Sequence, residues 1–129
     1  MNIKKIGFIV SYYSPNYVRA ITLQRALRQI QDLRVINAWN KSRNIWRYFE
    51  TFTKVIRIKS KQDVKHWLIN FRGHDYYWPL RLILGRQSVK IFDQFVSPYD
   101  SFVYERKKTS PNSLLAKSLY FIEKSILKD

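Results

Sequence analysis

The sequence has no cysteine, only three glycines and four prolines among 129 residues, and nine acidic residues against 24 basic ones. The absence of cysteine excludes disulfide scaffolds, cysteine-based zinc sites and thiol catalysis. No apolar run approaches the roughly 20 residues that a membrane-spanning helix needs. The short apolar run at residues 6–10 continues into Ser11-Tyr12-Tyr13 without the small-residue cleavage site of a signal peptide.

Apolar residues make up 46% of the chain and aromatic residues 16%, which is enough to bury the core of one ordinary domain. Disordered chains are poor in aromatic and β-branched residues, so this composition argues against disorder. The formal net charge is +15. A surplus of this size favours polyanionic partners, namely nucleic acid, anionic lipid or phosphorylated substrates.

Apolar runs alternate along the chain with segments of helical periodicity. The predicted strands are 6–10, 33–37, 66–71 and 88–92, and the predicted helices are 17–30, 41–61, 78–84 and a last one that begins at Ser110-Pro111. Continuous apolar strands separated by helices indicate a parallel sheet that is covered on both faces. We therefore predict an α/β fold, a Rossmann-like three-layer α/β/α sandwich, with residues 1–129 as a single domain.

The segment 41–61 has the densest positive charge, with seven basic residues and one acidic residue. A helix of about 100° per residue has an apolar side and a basic side here. One interpretation packs the apolar side on the core and leaves the basic side in water; another places the basic side on an anionic membrane surface. The apolar side holds Ile45, Trp46, Phe49, Phe52 and Ile56, and the basic side holds Arg43, Arg47, Lys54, Arg57 and Lys61.

In an open α/β sheet, ligands bind beyond the carboxyl ends of the strands. Polar clusters follow three of the predicted strands, at 11–17, 71–75 and 92–100. The first cluster leads into a helix whose free N–H groups suit a phosphate or carboxylate, although serine and asparagine there are equally ordinary turn and cap residues. The candidate substrate-binding residues are Ser11, Tyr12, Tyr13, Asn16, Gly73, Asp75, Gln94, Ser97, Tyr99 and Asp100.

Two side chains in these clusters are candidate catalytic residues. Asp93 is the strongest, because a carboxylate that ends an apolar strand lies at the functional edge of the sheet; the alternative is a cap for the following helical turn. His74 is a candidate acid–base group or partner of a sugar hydroxyl, or else a loop residue beside a glycine turn. The His74-Asp75 pair lacks the spacing of a metal site, and no glycine fingerprint for a dinucleotide or ATP is present.

Several segments resemble the N-terminal half of a family 4-type glycosyltransferase with the two-domain GT-B fold. The resemblance spans nearly the whole chain and is most specific at 71–75 and 92–107. The segments are KIGFIVSYYSPNYVRAITLQRAL, LRVINAW, FRGHD, VKIFDQFVSPYDSFVYERK and SPNSLLAKSLYFIEKSIL. Asp93 stands where many relatives carry a histidine, and the first loop lacks the glycine pair that is common in the family.

The resemblance implies retaining transfer of a sugar from a nucleotide-sugar donor, without a metal or resident cofactor. The acceptor, a glycan or lipid-linked sugar, would bind this domain, and the donor would bind mainly to a C-terminal glycosyltransferase domain that these residues do not include. The chain alone would then be inactive. It also implies a cytoplasmic protein, peripheral at the inner face of the cell membrane, that works in cell-surface or lipid-linked glycan synthesis.

Other readings of the residues remain open. The charge suits a small basic protein that binds nucleic acid or an anionic membrane, whereas aromatic residues inside strand-like runs are better explained by burial than by base stacking, so no nucleic acid is expected. A different nucleotide-dependent Rossmann enzyme would require the missing glycine fingerprint. An open sheet edge would allow self-association into a homo-oligomer.

Overall fold

The computed structural model describes residues 4–12, 14, 17–70, 72–94 and 97–129. The chain divides into two compact units, residues 1–93 and residues 94–129. A 3₁₀ turn at Gly73–Asp75 precedes the third helix of the first unit. The first unit contains β1 (Lys4–Val10), α1 (Val18–Arg28), β2 (Leu33–Trp39), α2 (Trp46–Lys61), β3 (His66–Ile69), α3 (Tyr77–Leu84) and β4 (Val89–Phe92).

The four strands form one parallel sheet in the order β2-β1-β3-β4. The predicted Rossmann-like α/β fold is therefore confirmed. The boundaries of all four strands differ from the prediction: β1 begins two residues earlier, at Lys4, β4 begins one residue later, at Val89, and β2 and β3 end at different residues. β2 continues to Trp39 because it pairs with β1 along its whole length, and β3 ends at Ile69 because the backbone turns after Asn70, whose carbonyl accepts from the Gly73 N–H at 3.1 Å.

The helices cover both faces of the sheet. The connection from β1 to β2 runs in one direction across the sheet, and the connections from β2 to β3 and from β3 to β4 run in the opposite direction. Because such connections are right-handed, α1 lies on one face of the sheet and α2 and α3 lie on the other face. On the α1 face, Ile6, Phe8 and Val10 pack with Ala20 and Leu68. The apolar strand runs thus become the core because each face receives a helix.

The side of α2 that packs on the sheet is not the predicted one. Thr51 and Val55 are fully buried, whereas Ile45, Trp46 and Phe49 keep 66%, 63% and 59% of their surface exposed. Hydrogen bonds at the ends of β1 and β2 determine this orientation. The Thr51 hydroxyl donates to the Val10 carbonyl at 3.2 Å, and the Lys54 ammonium, one turn further on, donates to the carbonyl of Trp39. The interpretation that packs this side on the core is wrong for Ile45, Trp46, Phe49 and Ile56, whereas the half-buried Phe52 packs against the ring of Tyr76.

The second unit contains α4 (Pro98–Asp100), which continues into a π-helical turn at Ser101–Glu105, and α5 (Leu114–Lys128). The last helix begins after the predicted Ser110-Pro111. Ser113 is its N-cap, because its hydroxyl accepts from the Ala116 N–H at 3.1 Å. The helix therefore begins after the serine that caps it, three residues later than the proline suggests.

Candidate functional site

Every strand of the sheet is followed by a polar residue at the same edge, which we call the carboxyl edge. These residues are Ser11, Asn40, Asn70 and Asp93. The backbone N–H groups of the last three still donate to neighbouring strands, at 3.2, 3.0 and 2.8 Å. The strand order reverses direction between β1 and β3, so Ser11 and Asn70 flank the point at which open α/β sheets bind their ligands.

Asn40 joins the loops that follow β1 and β2. Its side-chain oxygen accepts from the Tyr12 N–H at 3.1 Å, and its amide nitrogen donates to the carbonyls of Tyr12 and Ser42 at 2.6 and 2.7 Å. The amide is therefore fully used in holding the chain. Tyr12, a predicted substrate-binding residue, lies at the carboxyl edge on the part of the backbone that Asn40 holds.

Ser11 and Asn70 are buried polar residues of a different kind. They expose 4% and 1% of their surface. Within the described residues, neither the Ser11 hydroxyl nor either amide atom of Asn70 has a hydrogen-bond partner. A buried polar group without a protein partner costs about 1–3 kcal/mol, so the two side chains are suited to a polar ligand.

Two tyrosines line the carboxyl edge beside these residues. Tyr76 is fully buried next to the backbone of Ser11, and burial raises its pKa. Burial and the neighbouring Asp75 also raise the pKa of Tyr48, whose hydroxyl donates to an Asp75 carboxylate oxygen at 3.3 Å. Both phenols therefore remain protonated at neutral pH and can act as hydrogen-bond donors.

Arg47 belongs to this cluster rather than to a free basic surface. One of its terminal nitrogens donates to the Tyr48 hydroxyl at 2.8 Å, and its guanidinium carbon lies 4.4 Å from the centre of the Tyr48 ring. Lys54, another residue predicted for the membrane side, is bound to Glu50 at 2.8 Å and to the Trp39 carbonyl. Among the predicted membrane residues, Arg43, Arg57 and Lys61 are exposed.

Asp93 forms a two-point ion pair with Arg19 of α1. Its carboxylate oxygens accept from Nε at 2.9 Å and from Nη2 at 2.6 Å, and the hydrogen bond raises the pKa of Arg19. Asp93 does not cap the following helical turn, because Ser97 does so. The guanidinium of Arg19 therefore occupies both carboxylate oxygens of Asp93.

His74 is the middle residue of the turn at Gly73–Asp75. Its ring packs edge-on against Phe92, with centroids 4.8 Å apart, and both of its ring nitrogens are shielded from solvent. A Cβ at Gly73 would lie 2.6 Å from a methyl carbon of Ile69 and 2.7 Å from the Phe92 ring, which explains the glycine. The turn therefore places His74 inside the packed edge.

The remaining predicted site residues belong to the second unit or lie outside the described part of the chain. Tyr13 and Asn16 lie outside the described residues. Gln94, Ser97, Tyr99 and Asp100 belong to the second unit, where Gln94 and Ser97 donate to the two Glu123 oxygens at 2.7 and 2.8 Å. In that unit Tyr99, Asp100 and Glu123 line a cavity of about 490 Å³.

A larger hollow of about 650 Å³ lies at the opposite edge, before β3 and β4. It is lined by residues 59–65 and 84–88, and α2 and α3 end there. Lys59 donates to the carbonyls of Ile83 and Leu84 at 2.6 and 3.0 Å. Cations stabilise helix C-termini. The positive charge of Lys59 is therefore explained by its contact with the C-terminal end of α3.

Glu50 fastens the loop after β2 and makes stability depend on pH. Burial acts to raise its pKa, but hydrogen bonds from Lys54 and from the backbone of Ser42 and Lys41 outweigh burial and lower the pKa to about 2. We expect Glu50→Gln to lower the free energy of unfolding by roughly 1 kcal/mol at neutral pH, after allowance for partial exposure. Urea unfolding measures the loss.

The sign of the pH dependence follows from the lowered pKa. The contribution of Glu50 is fully present above about pH 4.5, the pKa of an unpaired glutamate, and is lost as the pH falls towards 2. The stability difference between wild type and Glu50→Gln should therefore shrink across this window. Glu105→Gln, at an exposed position of the second unit, is the control. A difference that stays constant down to pH 2 would contradict this assignment.

The part of the chain that the structure describes contains neither a cluster of metal-binding side chains nor a membrane-spanning helix. No three histidine, aspartate or glutamate side chains in that part of the chain are placed to hold a metal ion, and none of the helices in that part is long and apolar enough to cross a membrane. No protein-family model, no curated protein and no solved structure matches this chain.

Proposed function

We propose that this chain is the acceptor-binding domain of a retaining glycosyltransferase that uses a nucleotide-sugar donor, in cell-surface or lipid-linked glycan synthesis. The observation that carries the proposal is the pair of buried, neutral polar side chains, Ser11 and Asn70, without partners among the described residues. Sugar hydroxyls both donate and accept hydrogen bonds, and so do a serine hydroxyl and a carboxamide. The resemblance to family 4-type glycosyltransferases supports the same substrate class.

The surrounding residues give this edge its shape and polarity. Tyr48 and Tyr76 are aromatic and carry a hydroxyl, the combination of apolar area and a few placed polar groups that is typical of small-molecule sites. Asp93 acts in this proposal as a positioning residue, because Arg19 occupies both of its oxygens. His74 keeps the turn after β3 packed against β4.

Transfer of the sugar would require a second domain. Donor and acceptor have to be held about 3–3.5 Å apart in the reactive geometry, and the loop after β1 has no glycine fingerprint for a nucleotide diphosphate. We therefore expect the 129 residues alone to bind acceptor and to be inactive in transfer. Measurable sugar transfer by this chain alone would contradict that division of labour.

Saturation-transfer NMR with a panel of neutral oligosaccharides tests the binding site. Wild type should bind at least one glycan of the panel, and Asn70→Leu should weaken that binding by about tenfold or more, because the leucine can neither donate nor accept. Asn112→Leu, at an exposed position of the second unit, is the matched control and should bind like wild type.

Two results would overturn the proposal. One is that no glycan of the panel binds; the other is that Asn70→Leu binds as tightly as the control. Nucleic-acid binding with a steep logarithmic dependence on salt, in the absence of glycan binding, would instead favour the small basic binding protein.

A further inference from the structure

The outer side of α2 carries exposed large apolar residues, which we call the α2 stripe. It consists of Ile45, Trp46, Phe49 and Ile56, each more than half exposed. The rings of Trp46 and Phe49 pack together, with centroids 5.5 Å apart. Single apolar residues on a surface are ordinary, but a contiguous group marks an interaction site.

The stripe is a second apolar surface of the helix. The side of α2 that packs on the sheet is centred on Thr51 and Val55, and both are fully buried. At about 100° per residue, the middle of the stripe lies roughly opposite these two positions. The stripe is therefore not needed to hold α2 on the sheet, and its exposure requires another explanation.

Four exposed cations on α2 and in the segment just before it form what we call the basic flank, namely Lys41, Arg43, Arg57 and Lys61. At about 100° per residue, Arg57 and Lys61 lie on the side of α2 next to Trp46. Lys41 and Arg43 precede the helix. Arg47 and Lys54 are not counted, because they are bound to Tyr48, Glu50 and the Trp39 carbonyl. Over residues 41–61 there are seven basic residues and one acidic residue, a surplus of six positive charges.

We propose that α2 docks this chain on an anionic membrane surface. The helix lies in the plane of the interface, the α2 stripe enters the boundary between headgroups and acyl chains, and the basic flank contacts lipid phosphates. A helix with exposed apolar side chains beside cations has the composition of an interfacial helix. Each basic residue near such a surface contributes about 1 kcal/mol, and tryptophan is enriched at this depth.

Charge favours lipid over the other occupants. A second copy docked through the same stripe would bring two segments of equal positive charge together, which is unfavourable. A nucleic acid would be attracted to the basic flank, but its phosphates give no reason for four exposed apolar side chains. The membrane proposal does not depend on the sugar site, which lies at the carboxyl edge, and either can fail without the other.

Flotation with vesicles of known composition tests the proposal with the full chain. Wild type should float with vesicles that contain about one-third anionic lipid. Its binding to zwitterionic vesicles should be weaker by at least about tenfold. Trp46→Ser/Phe49→Ser and Arg57→Gln/Lys61→Gln should each weaken the binding to anionic vesicles by about tenfold or more. Thermal unfolding should be little changed, because these side chains are exposed.

Matched controls lie on α1, which covers the other face of the sheet. Val18→Ser removes an exposed apolar side chain, and Arg25→Gln/Arg28→Gln removes two exposed charges. Both controls should bind within about twofold of wild type. If the α1 charge variant loses as much binding as Arg57→Gln/Lys61→Gln, the attraction comes from net charge and the proposal is wrong.

Quenching of tryptophan fluorescence by acyl-chain nitroxides reports insertion directly. Wild type should be quenched on binding, and Trp46→Phe should keep binding and lose most of the quenching, because the other three tryptophans are not in the stripe. Failure of wild type to bind anionic vesicles would overturn the proposal. So would concentration-dependent dimerisation that Trp46→Ser/Phe49→Ser abolishes, because the stripe would then be a protein interface.

Discussion

Gly7→Ala is expected to lower the free energy of unfolding by about 3 kcal/mol, the upper end of the usual cost of overpacking a core. Gly7 lies in β1 between two other strands, and a Cβ there would overlap with the six-membered ring of Trp67 on β3. Trp67 is fully buried and its indole N–H donates to the Val64 carbonyl at 3.1 Å. The ring has no room to move, so the strands themselves would have to separate.

Urea unfolding of a double-mutant cycle measures this effect and its cause. In a Trp67→Leu background the alanine should cost less than about 1 kcal/mol, because the ring that it overlaps is gone. The coupling between the two positions is then about 2 kcal/mol. An equal cost of Gly7→Ala in both backgrounds would show that the overlap is not its cause.

Asn70→Leu, the variant expected to lose glycan binding, is also expected to raise the free energy of unfolding by about 1–2 kcal/mol. The side chain is buried, its amide has no partner in the described part of the chain, and leucine has the same number and branching of heavy atoms without the cost of burying an amide. Stability gained together with binding lost is typical of a residue kept for function.

Thermal unfolding of Asn70→Leu beside Asn40→Leu provides the contrast. Asn40 is equally buried, but it makes three hydrogen bonds to the backbone, so its replacement should destabilise the chain by about 2–3 kcal/mol. If both substitutions destabilise to the same extent, Asn70 is a structural residue and the proposed site loses its main support.

Parts of the carboxyl edge were predictable and parts were not. The position of Asp93 directly after an apolar run predicts that it lies at this edge, because the carboxyl ends of parallel strands meet there. The same signal, a polar residue directly after an apolar strand, was present at Asn40 and Asn70 and was missed. The ion pair between Asp93 and Arg19 could not be predicted from the sequence. The two residues are 74 positions apart, and the helical pattern places Arg19 on the solvated side of its helix.

The sequence by itself determined the class of fold and the order of the elements. Apolar runs without polar alternation require burial on both faces, and intervening helical segments are what make parallel pairing possible. The end of α3 was also determined by the local sequence. Gly85 follows the helix with a φ of 78°, which glycine adopts without strain.

Only the tertiary structure decided which side of α2 is buried. Local periodicity favours the most apolar side, but Glu50, Thr51 and Lys54 hydrogen-bond to the chain at the ends of β1 and β2 and turn that side outward. Such bonds depend on strands that the helix meets only after folding. A periodic pattern can show that a helix has an apolar and a polar side. Which side faces water is determined by the hydrogen-bonding groups at the strand ends that the helix contacts.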